Sequence, residues 1–147
     1  MSQSPSEGSG SPKGGLAGLG ARLHLFVAPK HREAFTSLFR DILDCEVAER
    51  DFGFAFPILL VRFPDASAFS VEFTDLAPEG PSDARISDAT AFRGPWIEFR
   101  TPDLAGLQQR LREAGIAEFT HAGSPHTYFA APGGQVFRLL DVTYQGP

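Results

Sequence analysis

Cysteine is almost absent from this chain of 147 residues, in which Cys45 is the one cysteine. A single cysteine cannot close a disulfide within the chain, so the fold cannot depend on one. The amino terminus also lacks the positive patch, the apolar stretch of about 7–15 residues and the cleavage site that are typical of a secretory signal. We therefore expect a protein of the reducing cytoplasm, with Cys45 as a packed residue.

Basic charge and long apolar runs are also scarce. Lys and Arg number 13 against 18 Asp and Glu, a net charge of -5, and phosphate backbones and anionic lipids repel such a chain. The longest apolar stretch, residues 54–61, is interrupted by Pro57 and is far shorter than the roughly 18–20 apolar residues that span a bilayer. The sequence predicts neither nucleic acid nor a membrane as a partner.

The chain does have enough apolar material for one core. Hydrophobic residues make up 42% of it and phenylalanine alone contributes 14 residues, which excludes general disorder. Gly, Ser and Pro supply 13 of the first 20 residues, and such a composition cannot offset its ordering entropy by burial. We expect a flexible tail over 1–20 and a single domain over 21–147.

The first part of this domain, residues 21–75, reads as a strand, a helix and three further strands. The first and last of these strands show alternation of apolar and polar residues, and the helix shows apolar residues at i, i+4 and i+8. The predicted elements are a strand over 22–27, a helix over 29–43 and strands over 45–51, 58–63 and 68–74.

The same order recurs over 96–143, after a connector over 76–95. The connector has three prolines, two glycines and no periodicity, which is typical of a lid or a dimer contact. The segment Thr101-Pro102-Asp103 is expected to supply the cap of the second helix, with proline in the first turn. Gly115 is expected to end this helix, and Pro132-Gly133-Gly134 to form a hairpin turn. The predicted elements are a strand over 96–100, this helix, and strands over 117–121, 127–131 and 135–141.

This repeat predicts an α+β fold of two βαβββ modules. Each module leaves one sheet face uncovered. We expect the modules to pair and to form a curved eight-stranded mixed sheet around a shared cleft.

Three segments of the repeat resemble those of the vicinal oxygen chelate superfamily, which includes glyoxalase I, extradiol dioxygenases, fosfomycin resistance enzymes and bleomycin resistance proteins. Residues 38–43 (LFRDIL) are similar to the family's "FYRDVLG" helix end, residues 99–104 (FRTPDL) to its "F-x-V-x-D-L" helix entry, and residues 131–137 (APGGQVF) to its "DPxGNxIEL" final hairpin. The resemblance covers about residues 22–143. It implies the glyoxalase-like fold and a homodimer.

The resemblance also implies a divalent metal that is held by His or Glu side chains from four strands. His24 and Glu72 match the first two ligand positions. The third position falls on Trp96, which cannot ligate a metal, and the fourth on Arg138, whose permanent positive charge repels a cation. A divalent metal is therefore possible here, but no cofactor is favoured.

Strand alternation places further side chains on the strand faces that carry His24, Glu72, Trp96 and Arg138. We expect Arg138 to pair with Glu72 or Glu98, because an unpaired buried ion costs several kcal/mol. The predicted cleft residues, which would line a ligand site, are His24, Phe26, Glu72, Trp96, Glu98, Arg100, His126 and Arg138.

The roles of four of the side chains in and near the cleft stay open at this point. Trp96 and Phe26 are candidates to stack on a planar ligand, or they are fillers of the pocket. His121 and His126 are candidates for a general base at the mouth of the cleft, or they are loop residues without a role.

Three functions agree with the pattern. The first, which the two lost ligands favour, is a protein that binds a small molecule in the cleft, like the bleomycin resistance proteins in type, without the four-ligand metal site. The second is a metal-dependent lyase, isomerase or dioxygenase of the glyoxalase type that uses His24 and Glu72. The third is a structural dimer with a vestigial cleft.

Overall fold

The computed structural model describes Gly20 and residues 22–78, 95–120 and 124–146. Strand, helix and three strands follow one another twice, which confirms the α+β fold and its two βαβββ modules. The elements are β1 (Arg22–Val27), α1 (Arg32–Ser37), β2 (Glu46–Arg50), β3 (Ile58–Arg62), β4 (Ala68–Phe73), β5 (Trp96–Thr101), α2 (Leu104–Glu113), β6 (Glu118–Thr120), β7 (Thr127–Ala130) and β8 (Val136–Asp141). The predicted tail, except Gly20, and most of the predicted connector lie outside the described residues. None of the described helices is long and apolar enough to span a membrane.

The first helix is less regular than its apolar spacing predicts. A 3-10 turn at Pro29–His31 leads into α1, and a π turn at Leu38–Ile42 follows it. The backbone N–H of Leu43 donates to the carbonyl of Leu38 at 2.9 Å, five residues back. This wider turn brings Leu38 and its neighbour Phe39 into the core together, both fully buried.

The eight strands form two four-stranded sheets with the same topology. The first sheet has the order β1-β4-β3-β2 and the second has the order β5-β8-β7-β6. In each sheet the first and last strands of the module are parallel and the other pairs are antiparallel. The strands therefore divide equally between the modules, and each sheet is mixed.

One aromatic core joins the two modules. The ring centroid of Phe39 lies 5.1 Å from that of Phe69 in the first sheet and 5.4 Å from that of Phe137 in the second. Phe69 and Phe137 are also in contact, at 6.0 Å. The apolar faces of both sheets thus meet in a common core, and the opposite faces, here called the outer faces, look away from it.

The second module shows the predicted helix and turn signals, except that Pro102 precedes the cap of α2 and does not stand in its first turn. The Asp103 side chain accepts a hydrogen bond from the backbone N–H of Gly106 at 3.0 Å and so caps α2. Gly115 follows the helix with φ +75°. A Cβ atom on Gly133, which has φ +97°, would lie 2.9 Å from the side chain of Val27, so this turn packs on the end of β1 only as glycine.

The position of Phe39 between the sheets predicts a large loss of stability on truncation. We expect Phe39→Ala to lower the free energy of unfolding by about 3–5 kcal/mol, because it leaves a cavity at the contact between the modules. Urea unfolding followed by circular dichroism measures this change.

Phe54→Ala is the matched control, because Phe54 is 54% exposed in the loop between β2 and β3. We expect its effect to stay within about 0.5 kcal/mol. Equal losses in the two variants would contradict the central position of Phe39.

Candidate functional site

The outer face of the first sheet carries His24 and Phe26 on β1, next to Ser70 and Glu72 on β4. The parallel register of these two strands places His24 opposite Ser70 and Phe26 opposite Glu72. The Nδ1 atom of His24 lies 2.6 Å from the Ser70 hydroxyl, and its Nε2 atom lies 3.9 Å from a Glu72 carboxylate oxygen. The Phe26 ring contacts the imidazole edge-on at 4.9 Å and is 52% exposed.

Two of these residues, His24 and Glu72, match ligand positions that the resemblance implies. His24 and Glu72 are close enough to hold one ion between them, but Trp96 and Arg138 lie on the other sheet and offer no ligand atom. Within the described ranges, no three His, Cys, Asp or Glu side chains form a group that could bind a metal. The described residues therefore do not fit a four-ligand centre.

The outer face of the second sheet is built around a carboxylate between two guanidinium groups. Parallel pairing of β5 with β8 places Glu98 opposite Arg138. The Nη2 atom of Arg138 donates to Oε2 of Glu98 at 3.2 Å, and the Nε atom of Arg100 donates to Oε1. Of the two residues proposed as partners of Arg138, the structure selects Glu98.

This arrangement favours the ionised form of Glu98. The hydrogen bond from Arg100 is the main cause that holds the pKa of Glu98 below its ordinary value, and Arg138 acts in the same direction. Partial burial works against both by penalising the charge.

Arg138 is held between Trp96 and the sheet. The guanidinium carbon lies 4.2 Å from the centre of the Trp96 ring, within the distance of a cation–π contact. Arg138 is only 9% exposed, whereas Trp96 is 41% exposed. The indole therefore shields the cation from solvent and keeps part of its own surface accessible.

Tyr128 is a member of this group that the sequence analysis missed. It stands opposite Arg138 in the antiparallel pairing of β7 with β8, and its ring meets Trp96 edge-on at 6.2 Å. Together with Phe119 and Val136 it forms a second, smaller apolar cluster on the outer face. The alternation of side-chain direction along residues 127–131 is the sequence signal from which the position of Tyr128 could have been predicted.

The carboxy-terminal segment lies beside the same group. The Nη1 atom of Arg100 donates to the backbone carbonyls of Val142 and Tyr144, at 3.4 and 3.1 Å. The Tyr144 hydroxyl lies 3.2 Å from Nε2 of His126. His126 is thus placed near the second sheet, while His121 lies outside the described residues.

The predicted cleft residues fall into two sets. His24, Phe26 and Glu72 lie on the first sheet, and Trp96, Glu98, Arg100, His126 and Arg138 belong to the second module. Among the described residues, no hydrogen bond, ion pair or ring contact joins one set to the other. Within one chain the two sets face away from each other, because the modules pack through their apolar faces.

A cavity of about 680 Å³ lies at the junction of the modules, next to the second set. Phe63 and Phe99 contact each other edge-on at 5.5 Å and contribute to its lining. Glu98 and Arg100 line it as well. Its volume falls in the range of about 300–1,000 Å³ that is usual for small-molecule sites.

Cys45 behaves as the packed residue that the sequence predicts. Burial raises the pKa of its thiol to about 11, and the thiolate is the reactive form of cysteine. It takes no part in the groups described above.

No protein-family model and no curated protein sequence matches this chain. Solved structures do match it. They include a glyoxylase/bleomycin resistance protein/dioxygenase domain from Frankia sp. EAN1pec (TM-score 0.59, 18% identity, 85% of this chain and 97% of that one). They also include an antibiotic binding protein from Streptomyces sp. CB03234 (TM-score 0.58, 18% identity, 87% and 98%).

A third neighbour is the fosfomycin resistance protein FosX from Listeria monocytogenes (TM-score 0.60, 14% identity, 84% of this chain and 90% of that one). A mutant of FosX has been solved with Mn(II) and 1S,2S-dihydroxypropylphosphonic acid. At these identities the likeness shows the fold, which is the glyoxalase-like fold of the vicinal oxygen chelate proteins.

The position of Glu98 between two arginines predicts a pH-dependent contribution to stability. A carboxyl whose folded pKa lies below its unfolded value stabilises the fold above the unfolded pKa, and this contribution disappears as the pH falls through the folded pKa. We therefore expect Glu98→Gln to cost most stability near neutral pH. The difference from the parent should shrink below about pH 4.5, the ordinary value for Glu.

Denaturant unfolding between pH 3 and 7 measures this difference. Glu113→Gln, on the exposed side of α2, is the control. A stability loss for Glu98→Gln that does not change with pH would contradict the ion-pair assignment.

Proposed function

We propose that this protein binds a small organic molecule in a cleft walled by the outer face of its second sheet, without a four-ligand metal centre. The observation that carries the proposal is Arg138, which occupies the fourth ligand position implied by the resemblance. It is buried, paired with Glu98 and covered by Trp96. A guanidinium repels a cation but holds a polar ligand by hydrogen bonds.

The surroundings of Arg138 support binding. Trp96 keeps an accessible aromatic surface, and the adjoining cavity has room for a small molecule. One structural neighbour is described as an antibiotic binding protein and another as a glyoxylase/bleomycin resistance protein/dioxygenase domain. We assign this chain the same general role, a cytoplasmic small-molecule binder with no nucleic acid or membrane partner.

We further propose that residues 21–147 act as one domain and that two copies associate as a homodimer. The outer faces of both sheets expose aromatic side chains, Phe26 on the first and Trp96 on the second. A second copy that covers these faces would bring His24, Phe26 and Glu72 of one chain opposite Trp96 and Arg138 of the other. The cleft predicted from the sequence is then formed between two chains.

The dimer has a direct test in analytical ultracentrifugation. We expect a mass close to twice the chain mass of 15.9 kDa. Phe26→Glu should shift the equilibrium to monomer, because it places a charge in the interface. The control Phe54→Glu changes an equally exposed phenylalanine on a loop and should remain dimeric, whereas a monomeric parent protein would exclude the arrangement.

A metal-dependent lyase, isomerase or dioxygenase is the second candidate function. The 3.9 Å separation between Nε2 of His24 and a carboxylate oxygen of Glu72 favours it, since two candidate ligands lie side by side. An ion bound there would polarise a substrate oxygen. The third candidate, a structural dimer with a vestigial cleft, predicts that neither ligands nor metals affect the protein.

A thermal-shift screen of small organic molecules, with and without chelator, separates these functions. For a binder we expect stabilisation that grows with ligand concentration as RT ln(1 + [L]/Kd), that chelator leaves unchanged, and that Trp96→Ala removes. Phe54→Ala is the control for losing an exposed aromatic side chain.

Elemental analysis of protein purified without chelator completes the test. Near-stoichiometric metal that disappears in His24→Ala would contradict the binder proposal and support the metalloenzyme. A protein that responds to neither ligands nor metals would support the vestigial cleft.

A further inference from the structure

Arg138 has far more hydrogen-bonding capacity than its surroundings use. A guanidinium carries five N–H donors in one plane. Among the described residues, one of these donors makes a hydrogen bond, from Nη2 to Glu98. The Nε atom is buried without a partner. Buried polar groups are normally satisfied, so a side chain that is 9% exposed and has this many unused donors points to an acceptor that the chain does not itself provide.

The charges of the group are also unbalanced. Arg100 and Arg138 share the single carboxylate of Glu98. Arg100 otherwise donates to the carbonyls of Val142 and Tyr144, which are neutral. Two cations against one anion leave a net positive charge at a place that is partly shielded from solvent, where an ion interacts more strongly than in water.

Trp96 restricts the shape of the acceptor. Its ring lies 4.2 Å from the guanidinium carbon and covers Arg138 from one side, whereas the N–H donors of a guanidinium point outward in its own plane. Carboxylate oxygens suit donors in this plane, since they match the planar fork of arginine. The accessible part of Trp96, with the edge of Tyr128 beside it, offers a surface for a flat ring.

We infer that the ligand of this cleft is an organic anion, a carboxylate attached to a flat ring, held by Arg138 and stacked on Trp96. This inference rests on the proposed binding function and specifies its ligand class. The rival partner for Arg138 is the Glu72 carboxylate of a second copy, which the proposed dimer would bring to the same cleft.

Trp96 makes the test specific, because it is the one tryptophan of the chain and gives a single indole N–H resonance in a ¹H–¹⁵N spectrum. The probes are 2-naphthoate, its neutral analogue 2-naphthamide, and cyclohexanecarboxylate, an anion without a flat ring. We expect 2-naphthoate to move the resonance saturably and to bind about tenfold or more tightly than either comparison compound, as a charge-assisted hydrogen bond allows.

Two substitutions assign the binding to the guanidinium. Arg138→Met should weaken 2-naphthoate about tenfold or more and leave 2-naphthamide unchanged, which also shows that the variant is folded. Arg138→Lys should recover only part of the loss, because an ammonium lacks the planar fork. Arg62→Met, on a half-exposed arginine of the first sheet that pairs with Glu46, is the control and should bind like the parent.

The outcomes separate this inference from the proposed function. If 2-naphthamide binds as tightly as 2-naphthoate, the inference that the ligand is an anion is wrong, and the proposed binding function stands. If Glu72→Gln is required before 2-naphthoate binds, the second copy's carboxylate is the native partner and the inference is overturned. If no probe moves the Trp96 resonance, the inference also fails, and the thermal-shift screen decides the binding function independently.

Discussion

The structure depends on the aromatic contact that joins the modules. Phe39 reaches Phe69 in one sheet and Phe137 in the other. A βαβββ module has one helix to cover one sheet face, so each module completes its core against the other. Once the two apolar faces are buried together, the polar faces must look outward. The outward position of the candidate site residues on β1, β4, β5 and β8 follows from this constraint.

Hydrophobic periodicity was sufficient to predict the elements but not their ends or irregularities. All eight strands occur where the sequence predicts them, and no end is displaced by more than one residue. The small displacements arise because the pattern of burial does not show where backbone pairing stops. Apolar spacing of i, i+4 and i+8 does not distinguish an α turn from a π turn. The i to i+5 bond between Leu38 and Leu43 is therefore visible only in the structure.

The sequence predicts which strand face carries each residue of the candidate site, but it does not predict how those faces come together. Alternation identifies the face of β8 that carries Arg138, but the choice between Glu72 and Glu98 depends on which strand lies beside β8. The register of β5 with β8 decides for Glu98. Alternation also cannot show which sheets share a cleft, because the packing of whole modules determines this, and so residues 24, 26 and 72 lie away from the rest within one chain.

Arg138 changes what this fold can do. A metal in a cleft provides positive charge together with open coordination positions, and a mutant of FosX, one of the structural neighbours, has been solved with Mn(II). A guanidinium provides positive charge and directed donors, but no coordination position on which a substrate oxygen could be activated. Glu98 stabilises the buried cation without neutralising the group, since it also serves Arg100. The proposed role of the second sheet in holding a ligand rests on this difference, and among the described candidates the residues that match metal-ligand positions are His24 and Glu72 on the other outer face.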